Sequence, residues 1–322
     1  MIWMMVWPGL FHSTEIAMSE VASPVVSIVM NCYNSDRYLR EAIDSVYAQS
    51  FEDWELVFWD NASTDTSAEI AQSYDDRVQY FLADSTTPLG EARNLALKQT
   101  RGKYIAFLDC DDLYLPDKLE KQVALMDQGG YALSYGSAIT IDETGDEIRR
   151  TVVSNQSGDV FSELLKHYEI NMQSVMIKRE ILVSEGLGFE ESMKYCPDYN
   201  LFMEIASRYS VGVIKDYVVK YRVVSDSLSR QTVDIAPSEI RFSLDRIISV
   251  NPQLRERYPS QIDSAYAKLH YYDAVSAIYR EERKEARNRL KPVLLHELPY
   301  LMLYLLLFLP ISTRTVLKLL RR

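Results

Sequence analysis

Three cysteines in 322 residues (Cys32, Cys110 and Cys196) are odd in number and widely spaced, which argues against a disulfide framework. No Cys-x-x-Cys pair is present, which argues against a cysteine-built zinc site. Histidine is almost as scarce. His12, His167, His270 and His296 are scattered singly, so each reads as a surface or core residue rather than a ligand. The chain has no phosphate-binding P-loop, no Gly-x-Ser-x-Gly nucleophile elbow and no internal repeat. Gly186-Leu187-Gly188 is too short to be a dinucleotide fingerprint. Positive charge is lacking as well. A net charge of −11 argues against a nucleic-acid partner. Residues 1–11 are apolar but lack the basic start and small-residue cleavage site of a signal peptide. Residues 1–17 are therefore expected to be a dispensable extension ahead of Met18, and the protein cytoplasmic.

What is present is ordinary in bulk, with 47% hydrophobic and 25% charged residues, as in globular domains. The charge is unevenly spread. From Ile278 onward ten Lys/Arg face four acids, a local +6 that leaves −17 on the rest. The same region holds an apolar run, Val293 to Ile311, interrupted by Pro299 and Pro310. Between the prolines only about 15 Å of helix fits, half of a hydrocarbon core of about 30 Å. The pattern predicts an interfacial anchor with basic flanks, peripheral on the inner face of the cytoplasmic membrane and touching anionic lipid, or else a helix packed on the protein.

The stretch from Gly102 to Asp112, GKYIAFLDCDD, organises the remainder. Tyr104 to Leu108 predicts a buried strand, and Asp109, Asp111 and Asp112 follow at its carboxyl end, where open α/β sheets bind ligands. Alone, the cluster reads equally as a solvated acidic turn. The strand before it favours a site for a hard divalent cation with oxygen ligands. Upstream, apolar runs at Val25–Met30, Trp54–Trp59 and Val78–Leu82 alternate with helical patterns, one of them carrying Leu39, Ile43, Val46 and Tyr47. That alternation predicts a mostly parallel, Rossmann-like α/β sheet with helices on both faces. Downstream, strands are expected at 131–141, 147–153, 175–177 and 211–224, with helices at 161–168 and 198–208. From Pro237 long helical patterns, about 238–250 and 261–289, replace the strands. Three units are expected: an extension at 1–23, a catalytic domain at 24–230 and a helical region at 231–322.

Five motifs in order give these stretches a resemblance to the inverting family 2 glycosyltransferases, whose nucleotide-sugar-binding fold is called GT-A. Val26 to Asn34 looks like the opening strand that usually ends Pro-x-Tyr-Asn. Asp60-Asn61-Ala62-Ser63-Thr64-Asp65 resembles Asp-Asp-Gly-Ser-x-Asp. Gly90-Glu91-Ala92-Arg93-Asn94 resembles an Ala-Arg-Asn helix start, and Leu108 to Asp112 the metal motif. Cys196 to Leu201 is similar to the Glu-Asp-x-x-Leu segment that supplies the base. Tyr221-Arg222, followed by Ser227-Leu228-Ser229, looks like the family's usual domain end.

The resemblance implies a donor that is a nucleoside diphosphate sugar, UDP- or dTDP-linked, and an acceptor hydroxyl on a glycan or lipid-linked sugar. Mg²⁺ or Mn²⁺ would be held by Asp111 with Asp109 beside it. Asn31, Tyr33, Asp60, Arg93 and Asp109 would bind the donor. Tyr33 would stack on the base, or pack in its loop. Asp60 would accept from the imide N–H of uracil or thymine, or cap the next helix. Arg93 would meet the nucleotide or diphosphate, or pair with Asp109. Asp198 would be the general base, or an N-cap, with Glu190 or Glu191 next in line. Three departures stand out. Asn31 replaces the usual proline, Asn61-Ala62 replace Asp-Gly, and Pro197 stands at the usual Glu. They motivate a competing reading, a non-catalytic, membrane-tethered nucleotide-sugar binder. A nucleotidyltransferase is a third, which the missing Gly-rich loop disfavours. The absent Gln-x-x-Arg-Trp signature argues against a processive synthase.

Overall fold

A computed structural model describes residues 23–224 and 235–309. The predicted extension (1–17), the expected boundary near 225–237 apart from its last three residues, the Ser227-Leu228-Ser229 segment and the basic end from Arg314 lie outside the described residues. The first half alternates as its patterning predicts: β1 (Val26–Cys32), α1 (Asp36–Tyr47), β2 (Trp54–Asp60), α2 (Ser67–Ala71), β3 (Val78–Leu82), α3 (Leu89–Leu97) and β4 (Tyr104–Phe107). The order β3-β2-β1-β4 is parallel throughout. Both faces of the sheet are covered, which is why its strands read as continuous apolar runs. Val26, Ile28 and Met30 pack with Leu39, Ile43 and Val46 of α1 on one face. Val29, Val57 and Phe107 pack with Ala92 and Ala96 of α3 on the other.

The Arg101-Gly102 break before β4 has a local cause. Ser27 Oγ donates to Glu55 Oε1 (2.6 Å) and accepts from Gly102 N–H (2.8 Å). A Cβ on Gly102 would stand 2.5 Å from the Ser27 nitrogen. Only glycine lets β4 start this close to β1.

The second half is mixed. It runs through β5 (Leu113–Tyr114), α4 (Lys118–Gly129), β6 (Leu133–Ile141), β7 (Glu147–Thr151), α5 (Phe161–Lys166), β8 (Met176–Lys178), α6 (Arg179–Glu185), α7 (Pro197–Ala206) and β9 (Val211–Arg222). Strand β8 joins β4 antiparallel, and the sheet continues β6-β9-β5, with β7 on β6. The parallel β6–β9 pair carries β9 back so that its end, Arg222, reaches the acidic loop after β4. Neither β5 nor α6 is visible in the sequence pattern, because both are short.

The helical region comprises α8 (Ala236–Val250), α9 (Gln253–Arg257), α10 (Pro259–Tyr279), α11 (Arg283–Leu290) and α12 (Leu298–Leu306). The single helix expected over 261–289 is two. The chain breaks at Glu281, which takes φ +64 without being glycine. Leu244, Ile247, Leu254, Ile262 and Leu269 enter the same core as α5 and α7. Ala274, Ala277, Ile278, Ala286, Leu290, Tyr300 and Leu303 form a smaller core of their own.

Helix α12 is two-sided. Tyr300, Leu303 and the following Leu307 are buried against α10 and α11, while Leu298, Met302, Leu305 and Phe308 are exposed. Arg283 and Arg287 donate to the carbonyls of Leu309 (2.9 Å) and Leu307 (3.1 Å), satisfying the end of α12. Among the described residues no helix is long and apolar enough to cross a membrane.

Lys118 is fully buried. Its Nζ donates to Gln122 Oε1 (2.6 Å) and lies 4.2 Å from the Tyr114 ring centroid. Burial pushes its pKa well below 10.5. The unfolded chain then binds a proton that the folded chain does not, so stability rises with pH through the window below 10.5. An apolar replacement removes that linkage but leaves Gln122 Oε1 without its buried donor, at a cost of about 1–3 kcal/mol. Lys118→Met should therefore show a flatter stability-versus-pH curve below about pH 10. Chemical denaturation at several pH values checks it, and a slope unchanged from wild type would refute it.

Candidate active site

The carboxyl ends of β1, β2 and β4 lie side by side, with Cys32 opposite Asp60 and Val29 opposite Phe107. Together with the end of β9 and the start of α7 they surround a cavity of about 720 Å³. Asn31, Arg93, Asp109, Asp111, Asp112 and Asp198 line it.

The three acids after β4 are held in different ways. Asp109 is gripped on both oxygens. Arg93 Nη2 reaches Oδ1 (3.3 Å) and Gln173 Nε2 donates to Oδ2 (2.6 Å), while the Asp109 N–H donates to Gln173 Oε1 (2.9 Å). Of the two roles weighed for Arg93, the pair with Asp109 is the one observed. Asp112 is buried, and its Oδ1 accepts the Arg222 N–H (2.6 Å). Burial, and then the charges of Asp111 and Asp109, push its carboxyl well above the usual range. Its Oδ2 is buried without a hydrogen-bond partner among the described residues. Arg222 closes the loop. Its Nε donates to the Asp111 carbonyl (2.9 Å), its Nη2 to Glu41 (2.9 Å), and its guanidinium sits 4.3 Å from the Tyr38 ring centroid.

Asp109 and Asp111 offer oxygen only, with the orphaned Asp112 oxygen behind them. Among the described residues no group of three or more His, Cys, Asp or Glu is arranged to hold a metal. The donor set fits a hard ion such as Mg²⁺, which keeps waters and takes substrate phosphates rather than filling a cage of side chains.

Asp198 lies in the first turn of α7. The helix begins at Pro197 with Cys196 as its N-cap, so Asp198 is not the cap. Burial raises its pKa, against the Arg93 charge and two backbone N–H groups that lower it. Glu190 pairs with Arg246 (2.6 Å) and Glu191 accepts from Asn94 (3.0 Å), and neither lines the cavity. Asn94 also exchanges two hydrogen bonds with the Phe189 backbone, so the third residue of the Ala-Arg-Asn motif fixes this loop.

Two residues expected at the donor do not line the cavity. Asp60 is fully buried outside the cavity lining. Its Oδ1 accepts the Ser63 N–H and its Oδ2 the Tyr80 hydroxyl, both at 2.7 Å. It fixes the turn after β2. Tyr33 is half-exposed and also outside the lining, because the chain turns at Asn34 (φ 49). Tyr38 and Asn34 line the cavity instead.

The departures from the family pattern have local consequences. Asn31 presents a buried Nδ2 with no partner among the described residues. Ala62 adopts φ 64, the left-handed conformation for which the usual glycine is suited. Pro197 occupies the first helical position, where proline is favourable.

The loop before α7 is tied to the helical region. Glu239 of α8 accepts the N–H groups of Lys194 (2.7 Å), Tyr195 (2.9 Å) and Cys196 (3.0 Å). This contact sets where Asp198 stands.

The family model described as Glycosyl transferase family 2 matches residues 27–183. An uncharacterized glycosyltransferase of Methanocaldococcus jannaschii is 31% identical over 215 residues, 63% of this chain and 72% of that protein. TuaG of Bacillus subtilis, a protein named for teichuronic acid biosynthesis, is 29% identical over 64% of this chain and 82% of its own. An uncharacterized glycosyltransferase of Rickettsia felis is 36% identical over 62% of this chain, and the match spans only 33% of that protein. Among solved structures, S. aureus TarS superposes with TM-score 0.62 at 18% identity, covering 83% of this chain and 49% of TarS. The TarS fragment 1–349 has been solved with UDP-GlcNAc. The mannosyltransferase PcManGT of Pyrobaculum calidifontis, solved with GDP-Man and Mn²⁺, gives 0.57 at 19% identity, covering 88% and 79%. These likenesses, with the parallel sheet and its helices, define the GT-A fold. The chain belongs to glycosyltransferase family 2.

Glu239→Gln exchanges one acceptor oxygen for an N–H₂ group that faces backbone donors. It should lower stability by about 1–3 kcal/mol, the usual cost of leaving such groups unpaired. Chemical denaturation measures it, and unchanged stability would mean that the three amides are satisfied without Glu239.

Proposed function

We propose that this chain transfers a sugar, with inversion, from a UDP- or dTDP-linked donor to a hydroxyl of a glycan or lipid-linked acceptor. The observation that carries this reading is Asp198, a carboxyl raised in pKa by burial and lining the same cavity as Asp109 and Asp111. Inversion needs the acceptor hydroxyl to attack the anomeric carbon opposite the departing diphosphate. Asp198 takes the proton of that hydroxyl as the new C–O bond forms and the bond to the nucleoside diphosphate breaks. A raised pKa makes it the stronger base. Asp109 and Asp111 would hold a divalent cation, which supplies neutralising charge to the leaving diphosphate. With Asp60 engaged by its own loop, base contact passes to Asn31. Its orphaned Nδ2 suits a carbonyl oxygen such as those of uracil or thymine. In this reading residues 24–230 are the catalytic unit and 231–322 a region that braces it.

The exposed side of α12 supports peripheral contact with the inner face of the cytoplasmic membrane. Leu298, Met302 and Leu305 recur at helical spacing, with Lys291 just upstream.

Asp198→Asn should bind a nucleotide sugar and melt like wild type, yet transfer about 10²–10⁴ times more slowly. Asp111→Asn and chelation of divalent ions should each suppress transfer in the parallel assay. Near-normal turnover in Asp198→Asn would remove the base assignment, and full activity in chelator the metal. For the membrane contact, wild type should co-float with vesicles containing anionic lipid at low salt. The doubly exposed variant Met302→Asp, Leu305→Asp should stay in solution. Equal flotation of the two proteins would refute the contact through α12.

A further inference from the structure

The cavity has two unlike walls. The side of Asp109 to Asp112 carries carboxylates, Arg222 and Tyr221, while the side around Asp198 is lined by Tyr168, Tyr195 and Tyr199. Tyr168 packs on Tyr199 with ring centroids 4.8 Å apart. Its hydroxyl oxygen is buried and has no hydrogen-bond partner among the described residues. A buried hydroxyl left unmatched costs about 1–3 kcal/mol. Phenylalanine would fill the same space without that cost, so a phenol here points to a ligand group that completes it. Burial, and then the Asp198 charge, keep this phenol protonated far above its ordinary range, so it both donates and accepts at any working pH.

We propose, resting on the transferase reading above, that the tyrosine wall is the acceptor subsite and takes a neutral sugar ring, one hydroxyl of which pairs with Tyr168 while another is presented to Asp198. Charge excludes the alternatives. A phosphate or carboxylate on this wall would stand beside the Asp198 carboxylate in a desolvated site. Arg93, the buried cation nearby, is already held by Asp109 at 3.3 Å. Lys194 is exposed at the rim. A pyranose needs no cation. Its C–H faces carry slight positive charge and suit the negative faces of aromatic rings, and its hydroxyls suit a phenol.

The test uses the full chain, a nucleotide-sugar donor, and octyl glucoside, octyl galactoside and octyl N-acetylglucosaminide as probe acceptors, with glycerol 1-phosphate as the anionic one. Transfer gives the kinetic constants, and calorimetry in the presence of nucleotide gives acceptor binding without turnover. Tyr168→Phe should weaken acceptor binding and raise acceptor KM by about tenfold or more, with kcat and donor affinity nearly unchanged, the signature of lost uniform binding. Its melting temperature should equal or exceed that of wild type. A merely structural Tyr168 would leave acceptor KM unmoved, and that result overturns the inference. So does preference for glycerol 1-phosphate over every glycoside, or the absence of glycoside binding in a wild type that binds donor. Wild-type protein that binds no nucleotide sugar would instead overturn the transferase reading, and this inference with it.

Discussion

Three carboxylates within four residues at the end of a buried strand repel one another, and the cavity is assembled around holding them. Asp112 is turned inward, where burial favours its protonated form and it grips the backbone of β9. Asp109 is neutralised by Arg93 and aligned by Gln173. Arg222 then clamps the Asp111 backbone from the far end of β9. The return of β9 beside β6 is what brings Arg222 to this loop. A strand that paired elsewhere would not bring a guanidinium across the acidic loop.

The helical region completes the site rather than hanging from it. Its first helices share the core under α7, and Glu239 collects three amides just ahead of Asp198. Two loops therefore converge on the cavity with separate supports. The one after β4 is locked by β9, and the one before α7 by α8. Asn94 supplies a third tie by holding the Phe189 backbone to α3. A side chain positioned through helices and strands can be placed more closely than one on a free loop.

The first half of the fold was legible because its sheet is covered on both faces, so strands appear as unbroken apolar runs and crossover spacing fixes their direction. Asp109, Asp111 and Asp198 were legible because motif spacing ties them to a strand end and a helix start. Gln173 was not, since it lies 64 residues from Asp109 and a glutamine between a loop and a short strand carries no pattern. The surroundings of Asp60 were not legible for a similar reason. Its partner Tyr80 comes from the neighbouring strand, twenty residues on, and only the β2–β3 register brings them together. The break between α10 and α11 escaped because Glu281 takes a left-handed conformation without the glycine that announces one. The orphaned oxygen of Tyr168 has no sequence signal at all, because it is defined by what fails to surround it.

The arginine caps on α12 bear on how that helix meets any partner. An amphipathic segment that becomes helical only on contact spends about 1–2 kcal/mol per residue on ordering its backbone, drawn from whatever burial provides. Here Arg283 and Arg287 already satisfy the terminal carbonyls, and Tyr300 and Leu303 already fasten the inner side to α10 and α11. The outer leucines are thus presented as a finished surface. Association through them would be the docking of a preformed body instead of coupled folding.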